Sequence, residues 1–322
     1  MSILVYLEQV DGVIKKSSFE AVSFAEAIAA KEGGSVIAVA LGEIENDELK
    51  KTGGAGAEKV LHATDGRLSE GNSQAHAHVV ASAFEKTGAS TLVLAKSSLG
   101  DAVAARLAAK MDAALVSNVV GLPDTAAGYQ VRRSIFTGKA FAVTNVLTKN
   151  KILAIQKNVV EITSGGADAV VEPFEIDLDD TLFAAKITNV EKLSGDVLLP
   201  EAEIVVSGGR GLKGPENWPM LENLAHELGA ALACSKPVSD MGWRPHHEHV
   251  GQTGTKVAPS LYIAVGISGA IQHLAGVNSS KVIVVINKDA DAPFFKAADY
   301  GIVGDAFEII PKFTEAIKAI KK

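Results

Sequence analysis

Two apolar rhythms alternate along the first 120 positions. Continuous apolar runs at residues 3–8, 35–41, 91–95 and 114–121 have the length of strands, with a shorter one at 56–61. Stretches with helical spacing lie between them. Ser17-Ser-Phe-Glu20 predicts a capping box that opens the first helix, and Gly33-Gly34 stops it after Ala30. Asn72 or Ser73 opens a second helix that ends near Gly88, and an Ala-rich helix spans 100–111. Strands alternating with helices predict a parallel sheet covered on both faces.

The rhythm changes near residue 129. Segments 129–136, 139–147 and 151–159 read as short alternating strands with no helix between them. They predict an antiparallel extension, with turns at Thr137-Gly138 and Asn150. Residues 177–199 are polar and irregular in period, and a domain boundary is expected near residues 190–200, before Pro200. Alternation then resumes. A strand at 204–207 leads into a Gly turn, and an amphipathic helix over 218–228 ends at Gly229. Apolar strands follow at 261–267 and 282–286, then a short last strand at 307–310. A helix over 312–322 closes the chain, its basic end suited to the helix dipole. The expected fold class is α/β with two domains. Residues 1–190 form an α/β domain with a parallel sheet and an antiparallel extension, and residues 191–322 form a Rossmann-like domain with a parallel sheet.

Composition narrows the function classes. A length of 322 residues suits two domains, and 47% apolar with 21% charged residues is ordinary for a globular protein. A net charge of -7 argues against a nucleic-acid or anionic-membrane surface. Cys234 is the one cysteine, so neither an internal disulfide nor a four-cysteine iron–sulfur cluster can form. The N-terminus enters a strand pattern directly, and no uncharged run approaches ~20 residues. A cytoplasmic protein is the expectation.

The candidate chemistry sits in the last third, read as three Gly-bearing strand ends: Ile204-Val-Val-Ser-Gly-Gly-Arg-Gly211, Val250-Gly-Gln-Thr-Gly254 and Tyr262-Ile-Ala-Val-Gly-Ile-Ser-Gly-Ala-Ile-Gln-His273. Glycines admit a ligand to the backbone, and the polar side chains beside them can bond it, which predicts one long ligand such as a dinucleotide across a sheet edge. Gly209, Gly211 and Gly214 match the G-x-G-x-x-G spacing of a nicotinamide site. Arg210 between the glycines and Pro215 after them count against it, and a plain structural turn is the other reading. Ser235 can donate to a phosphate, Lys236 offers a cation, and Gln252 and Thr253 offer donors and an acceptor. Ser268 and Gly269 stand where a strand gives way to a helix, a place that favours an anion, and His273 lies about one turn into that helix. His246, His247 and His249 read as a surface loop without the spacing of a metal site, and His76 and His78 as a helix pair on different faces. Cys234 reads as structural. No nucleophile elbow or P-loop is present.

Together with Ile286-Asn-Lys-Asp289 and Ala298-Asp-Tyr-Gly-Ile-Val-Gly-Asp305, these motifs resemble the FAD-binding domain of the electron transfer flavoprotein alpha subunit. Lys96-Ser-Ser-Leu-Gly-Asp101 with the helix after it, and Arg133-Ser-Ile-Phe-Thr-Gly-Lys-Ala140, look like that family's N-terminal domain. The resemblance implies an electron carrier without substrate chemistry of its own. It implies one FAD per chain, held by Arg210, Ser235, Lys236, Val250, Gly251, Gln252, Thr253, Ser268, Gly269, Ala270, Ile271, Gln272, His273 and Asn287, with Asp305 and Ala306 flanking the adenosine end. Within it, Thr253 lies near flavin N5, Gln252 near O4, and His273 donates to the C2 carbonyl oxygen where reduction places negative charge. Lys236 departs from the family, which usually carries Arg there. Lysine keeps the charge without the planar fork. The implied partners are a beta subunit holding AMP or a second FAD, flavin dehydrogenases such as acyl-CoA dehydrogenases, and a quinone oxidoreductase. Residues 1–190 would pack on the beta subunit. The readings left beside this one are a nicotinamide-dependent oxidoreductase and a nucleotide-binding module like the universal stress proteins.

Overall fold

The computed structural model describes residues 2–138, 140–188, 199–200 and 202–320. They gather into two units on either side of residue 190. The expected boundary at 190/191 itself lies outside the described residues.

The first unit opens with β1 (Ser2–Tyr6), a small hairpin of β2 (Gln9–Val10) and β3 (Val13–Ile14), and α1 (Lys16–Glu32). Next come β4 (Ser35–Leu41), α2 (Asn46–Lys50), β5 (Lys59–Ala63) and α3 (Ser73–Thr87). β6 (Thr91–Ala95), α4 (Ser98–Lys110) and β7 (Ala114–Val119) continue the alternation. The chain then forms β8 (Tyr129–Ile135), β9 (Ala140–Val146), β10 (Lys151–Ile155) and β11 (Val170–Pro173). Nine strands share one sheet in the order β11-β5-β4-β1-β6-β10-β7-β8-β9. One apolar cluster covers each face, with Phe24 and Val93 on one side and Tyr6 and Leu92 on the other.

Among the described residues only β8 and β9 extend the sheet antiparallel, pairing Tyr129 to Val146 through Ile135 to Ala140. β10 was expected beside them and lies elsewhere. It runs parallel between β6 and β7, in the middle of the sheet. Its residues Ile152, Leu153, Ala154 and Ile155 are all buried. A continuous apolar run is what a strand covered on both faces needs, whereas β9 alternates between covered and exposed positions. Lys139, the first residue of the expected second segment, lies outside the described residues. The capping box also fails. α1 begins at Lys16 with Lys15 as its N-cap, two residues before the expected Ser17, and no side chain caps it. Ser18 instead bonds the backbone of Glu8 at 2.8 Å, and Glu20 accepts the backbone N–H of Asn158 at 2.8 Å. Tertiary contacts have claimed these side chains. Asn72 does cap α3, its side chain accepting from the N–H groups of Gln74 and Ala75.

The second unit is wholly parallel. It contains β12 (Ile204–Gly208), α5 (Pro219–Leu228), β13 (Ala231–Cys234) and α6 (Lys236–Asp240). β14 (Leu261–Val265), α7 (Ile271–Val277), β15 (Val282–Asn287), β16 (Tyr300–Val303) and α8 (Ala306–Ile320) complete it. The strand order is β13-β12-β14-β15-β16. The chain therefore steps outward from β12 to β13 and then crosses back to β14. The gap between the carboxyl ends of β12 and β14 is the point where strand order reverses, the place where open α/β sheets bind ligands.

The expected strand at 307–310 is instead the first half of α8. Ile310, Phe313 and Ile317 return at helical spacing to one apolar cluster with Leu221 and Leu224 of α5. Pro311 sits inside this helix. The last strand lies earlier, at β16. Residues 321 and 322, the end of the expected C-terminal helix, lie outside the described residues.

Candidate functional site

A cavity of about 590 Å³ opens at the reversal point of the second sheet. That is within the usual range for a small-molecule site. Four segments build it: the turn after β12, the start of α6, the loop 249–253 and the turn between β14 and α7. Asn287 and Asp289, after β15, close one side.

Glycines let these segments touch. A Cβ on Gly209 would stand 2.2 Å from the carbonyl oxygen of Gly266, and one on Gly211 would stand 2.6 Å from the Gly266 Cα. The two crests therefore meet backbone to backbone, through the N–H of Gly211 donating to the Gly266 oxygen at 3.0 Å. Gly266 itself has φ +64°, in the left-handed region that favours glycine. The loop with Gln252 and Thr253 is not a strand end, as its position suggested. It is an irregular loop tied by single bridges from Cys234 to His249 and from Val250 to Thr255. It leans on α7, where a side chain at Gly276 would strike the Gly251 Cα at 2.6 Å, and the Gln252 N–H bonds the Gln272 oxygen at 2.7 Å.

Of the residues nominated from sequence, the cavity is lined by Arg210, Ser235, Lys236, Val250, Gly251, Gln252, Thr253, Ser268, Ala270, Gln272, His273 and Asn287. Gly269, Ile271, Asp305 and Ala306 do not line it. Gly269 takes a left-handed φ of +84° against the Phe294 backbone, and Ile271 points out, 61% exposed. The Asp305 side chain accepts the Phe307 N–H at 3.0 Å at the start of α8, and Ala306 is buried in the apolar cluster. α7 begins at Ile271 with Ala270 as its cap, so Ser268 stands before the helix and not at its N-cap. Asn287 is committed at both ends, donating to the Ile267 oxygen at 3.0 Å and accepting from the Asp289 N–H at 3.1 Å. Lys236 forms an ion pair with Asp240 at 3.0 Å, and both side chains are half exposed.

The polar heart of the cavity is aromatic. His273 is 6% exposed, and its Nε2 meets the hydroxyl of Tyr262 at 2.9 Å. Its Nδ1 is buried with no hydrogen-bond partner. Burial, followed by the charge of His249, outweighs an opposing interaction with the Val250 backbone and holds its pKa down at about 4, so the ring is neutral near pH 7. His249 was expected on a surface loop, and this is corrected: it is buried and lines the cavity, and its Nδ1 also lacks a partner. Burial and then the electrostatic influence of Lys236 and His246 lower its pKa. The signal in the sequence is its place directly before Val250-Gly-Gln-Thr-Gly254, where the loop turns inward. His246 and His247 are exposed, as expected of a surface loop. No group of three or more His, Cys, Asp or Glu among the described residues is placed to hold a metal. Cys234 is buried, and burial pushes its thiol up to about 12, which leaves it inert.

The nicotinamide fingerprint does not match the local structure. After Gly214 comes a single 3-10 turn over Pro215–Asn217, so no helix N-terminus stands in the glycine loop to receive a pyrophosphate.

Comparison with known proteins decides the family. Residues 3–179 match the model described as "Electron transfer flavoprotein domain", and residues 198–278 match "Electron transfer flavoprotein FAD-binding domain". The chain is 37% identical over 312 residues to the electron transfer flavoprotein subunit alpha of Bacillus subtilis, covering 96% of this chain and 95% of that protein. It is 36% identical to the subunit alpha of Syntrophomonas wolfei, over 98% of both chains. It is 35% identical to that of Mycobacterium leprae, over 99% of this chain and 98% of the other.

The chain belongs to the electron transfer flavoprotein alpha-subunit family.

Its role is electron transfer, and its second unit carries this family's FAD-binding domain. All the lining residues of the cavity except Asn287 and Asp289 fall inside that match. The donor set suits a flavin. A buried imidazole nitrogen stands without a partner at bonding geometry, polar side chains rim the opening, and glycine crests allow close backbone approach. No described helix is long and apolar enough to cross a membrane.

Proposed function

We propose that the cavity between β12 and β14 holds one FAD, and that the chain works as the flavin-carrying half of a heterodimer. The orphaned Nδ1 of His273, buried in the wall of a 590 Å³ cavity at the strand-order reversal, is the observation that carries this reading. The flavin supplies the redox step, and the chain supplies binding, orientation and electrostatics. Arg210, Ser235, Lys236, Gln252, Thr253 and Ser268 offer donors around the rim, and Gly209, Gly211 and Gly266 keep the crests low enough for the cofactor. Asn287 acts by bracing the turn at Ile267, and Asp305 and Ala306 lie toward the adenosine end beyond the cavity. His273 would meet the carbonyl oxygen on which negative charge grows during reduction.

Electrons would come from flavin dehydrogenases, such as acyl-CoA dehydrogenases, and pass to a quinone oxidoreductase. The partner subunit would pack on residues 1–190, complete the flavin site, and hold AMP or a second FAD. A single buried, unpaired cysteine suits the reducing cytoplasm.

Co-expression with a beta subunit, followed by absorbance and flavin quantification, tests this. The expected product is a yellow heterodimer with one FAD in the alpha subunit. A colourless heterodimer that refuses added FAD would refute the reading. Lys236→Ala should shift the flavin midpoint potential, and an unchanged potential removes Lys236 from the tuning groups.

A further inference from the structure

We propose that Tyr262 sets the tautomer of His273, so that the imidazole presents an Nδ1–H donor to the cavity. Tyr262 stands in the buried centre of β14 and His273 in the first turn of α7. Their rings lie 6.1 Å apart, and Phe294 flanks both, at 6.4 Å from Tyr262 and 5.6 Å from His273. The three rings pack in a buried cluster that limits turning of the imidazole.

The direction of the bond follows from proton bookkeeping. Burial raises the pKa of Tyr262, so the phenol keeps its proton. A buried O–H needs an acceptor, and the partner at hydrogen-bond distance is Nε2 of His273, at 2.9 Å. The Ser207 hydroxyl nearby is itself buried without a partner at bonding geometry. With a proton on Nε2, the Tyr262 oxygen would have to accept it and turn its own proton toward Ser207, whose oxygen interacts with the phenol but stands outside bonding geometry. Nε2 is therefore the acceptor. A neutral imidazole carries one proton, which must then sit on Nδ1. That nitrogen is the one left without a partner at bonding geometry in the cavity wall; the Val250 backbone, which also acts on the ring, lies outside that geometry. An unmet buried donor costs about 1–3 kcal/mol, a cost that a ligand oxygen would relieve. The complementary ligand atom is a carbonyl or partly anionic oxygen. Its assignment to a flavin rests on the function proposed above, but the tautomer does not.

The first unit contains an internal control. His76 also meets a strand tyrosine, with its Nδ1 at 2.6 Å from the Tyr6 hydroxyl. Its Nε2 lies 3.0 Å from the Leu68 oxygen and 3.1 Å from the Glu70 oxygen. Backbone oxygens only accept, so His76 carries its proton on Nε2. The two buried histidines should hold opposite tautomers.

The test is the two-bond proton–nitrogen spectrum of the full chain labelled with 15N-histidine at neutral pH. His76→Gln and His273→Gln assign the two rings. The expected result is Nε2–H for His76 and Nδ1–H for His273. Finding His273 as Nε2–H, or as a mixture, overturns the proposal, and this arm needs neither a flavin nor a Tyr262 variant to fold. Tyr262→Phe should convert His273 to a mixture or to Nε2–H while His76 stays unchanged, and retention of pure Nδ1–H would remove Tyr262 as the positioning residue. In the flavin-loaded heterodimer, Tyr262→Phe should lower the midpoint potential, and an unchanged potential would also count against that role. A colourless heterodimer, by contrast, would defeat the flavin reading and leave the spectrum of the full chain standing.

Discussion

In the first sheet the chain goes from β1 to β4 on one side and later adds β6 on the other, so strand order reverses between β1 and β6. The residues after those strands meet there. The Ser97 hydroxyl donates to the Glu8 carboxylate, Glu8 is 3% exposed, and Lys15 pairs with its other oxygen at 3.4 Å. A side chain at Gly100 would stand 2.9 Å from that carboxylate and 2.5 Å from the Ala95 oxygen. In the second sheet the equivalent gap lies between β12 and β14 and is faced by glycine on both crests. One reversal point is plugged by a buried acid, which repels phosphate, and the other is open and polar. The same contrast divides the histidines. His76 spends both nitrogens inside the protein, and His273 keeps one for the cavity. Parallel α/β topology therefore offers a site in both units, and the residues immediately after the strands decide whether it is used. The plugged crevice also disfavours the reading of the first unit as a stress-protein-like nucleotide module.

The largest expected effect comes from closing the open reversal point. Gly266→Ala adds a Cβ 2.8 Å from the Gly211 Cα at a left-handed φ. It should destabilise the second unit by about 2–4 kcal/mol and abolish flavin retention. Urea unfolding with flavin quantification reads both, and a variant that keeps both would mean that the crests separate freely.

Acid should strain the same unit next. The unfolded chain binds a proton at His273 below its ordinary value of 6.5, while the folded unit refuses it until about 4. Stability is therefore complete above pH 6.5 and declines toward pH 4, by up to about 3 kcal/mol from this group. His76, also lowered by burial, pulls the first unit the same way. Stability of His273→Gln measured at pH 7 and pH 4.5 should show a smaller decline than the parent. An equal decline would mean that His273 is not held neutral.

Unplugging the closed reversal point should cost stability without creating a site. Glu8→Ala strands Ser97 and Lys15 and should cost about 2 kcal/mol in urea. ATP and AMP binding to the full chain should remain absent by calorimetry, and gain of tight binding would show that Glu8 alone separates the two crevices. Tyr6→Phe should have the smallest effect, about 1 kcal/mol in stability with no change in flavin potential. A shifted potential would erase the distinction between a structural and a functional tyrosine–histidine pair.

Much of this was legible along the chain. β12, β14 and β15 of the second unit stood out as apolar runs, the first two ending at glycine, and Gly229 marked the end of α5. β10 was misread because it follows two true hairpin strands, although Ile152-Leu-Ala-Ile155 lacks their alternation. The α8 misreading came from Pro311, which an amphipathic helix with enough apolar contact tolerates. His249 escaped because two exposed histidines precede it in the same segment.

Residue order by itself determined the α/β alternation, the glycine crests and the family, since period, backbone permissiveness and motif spacing are local properties. The tertiary fold decided where β10 inserts, that Glu8 plugs one crevice while the other stays open, and which histidine nitrogen is left unpaired. Each of those depends on which distant atoms come within hydrogen-bond reach, and burial makes every such pairing, or its absence, count.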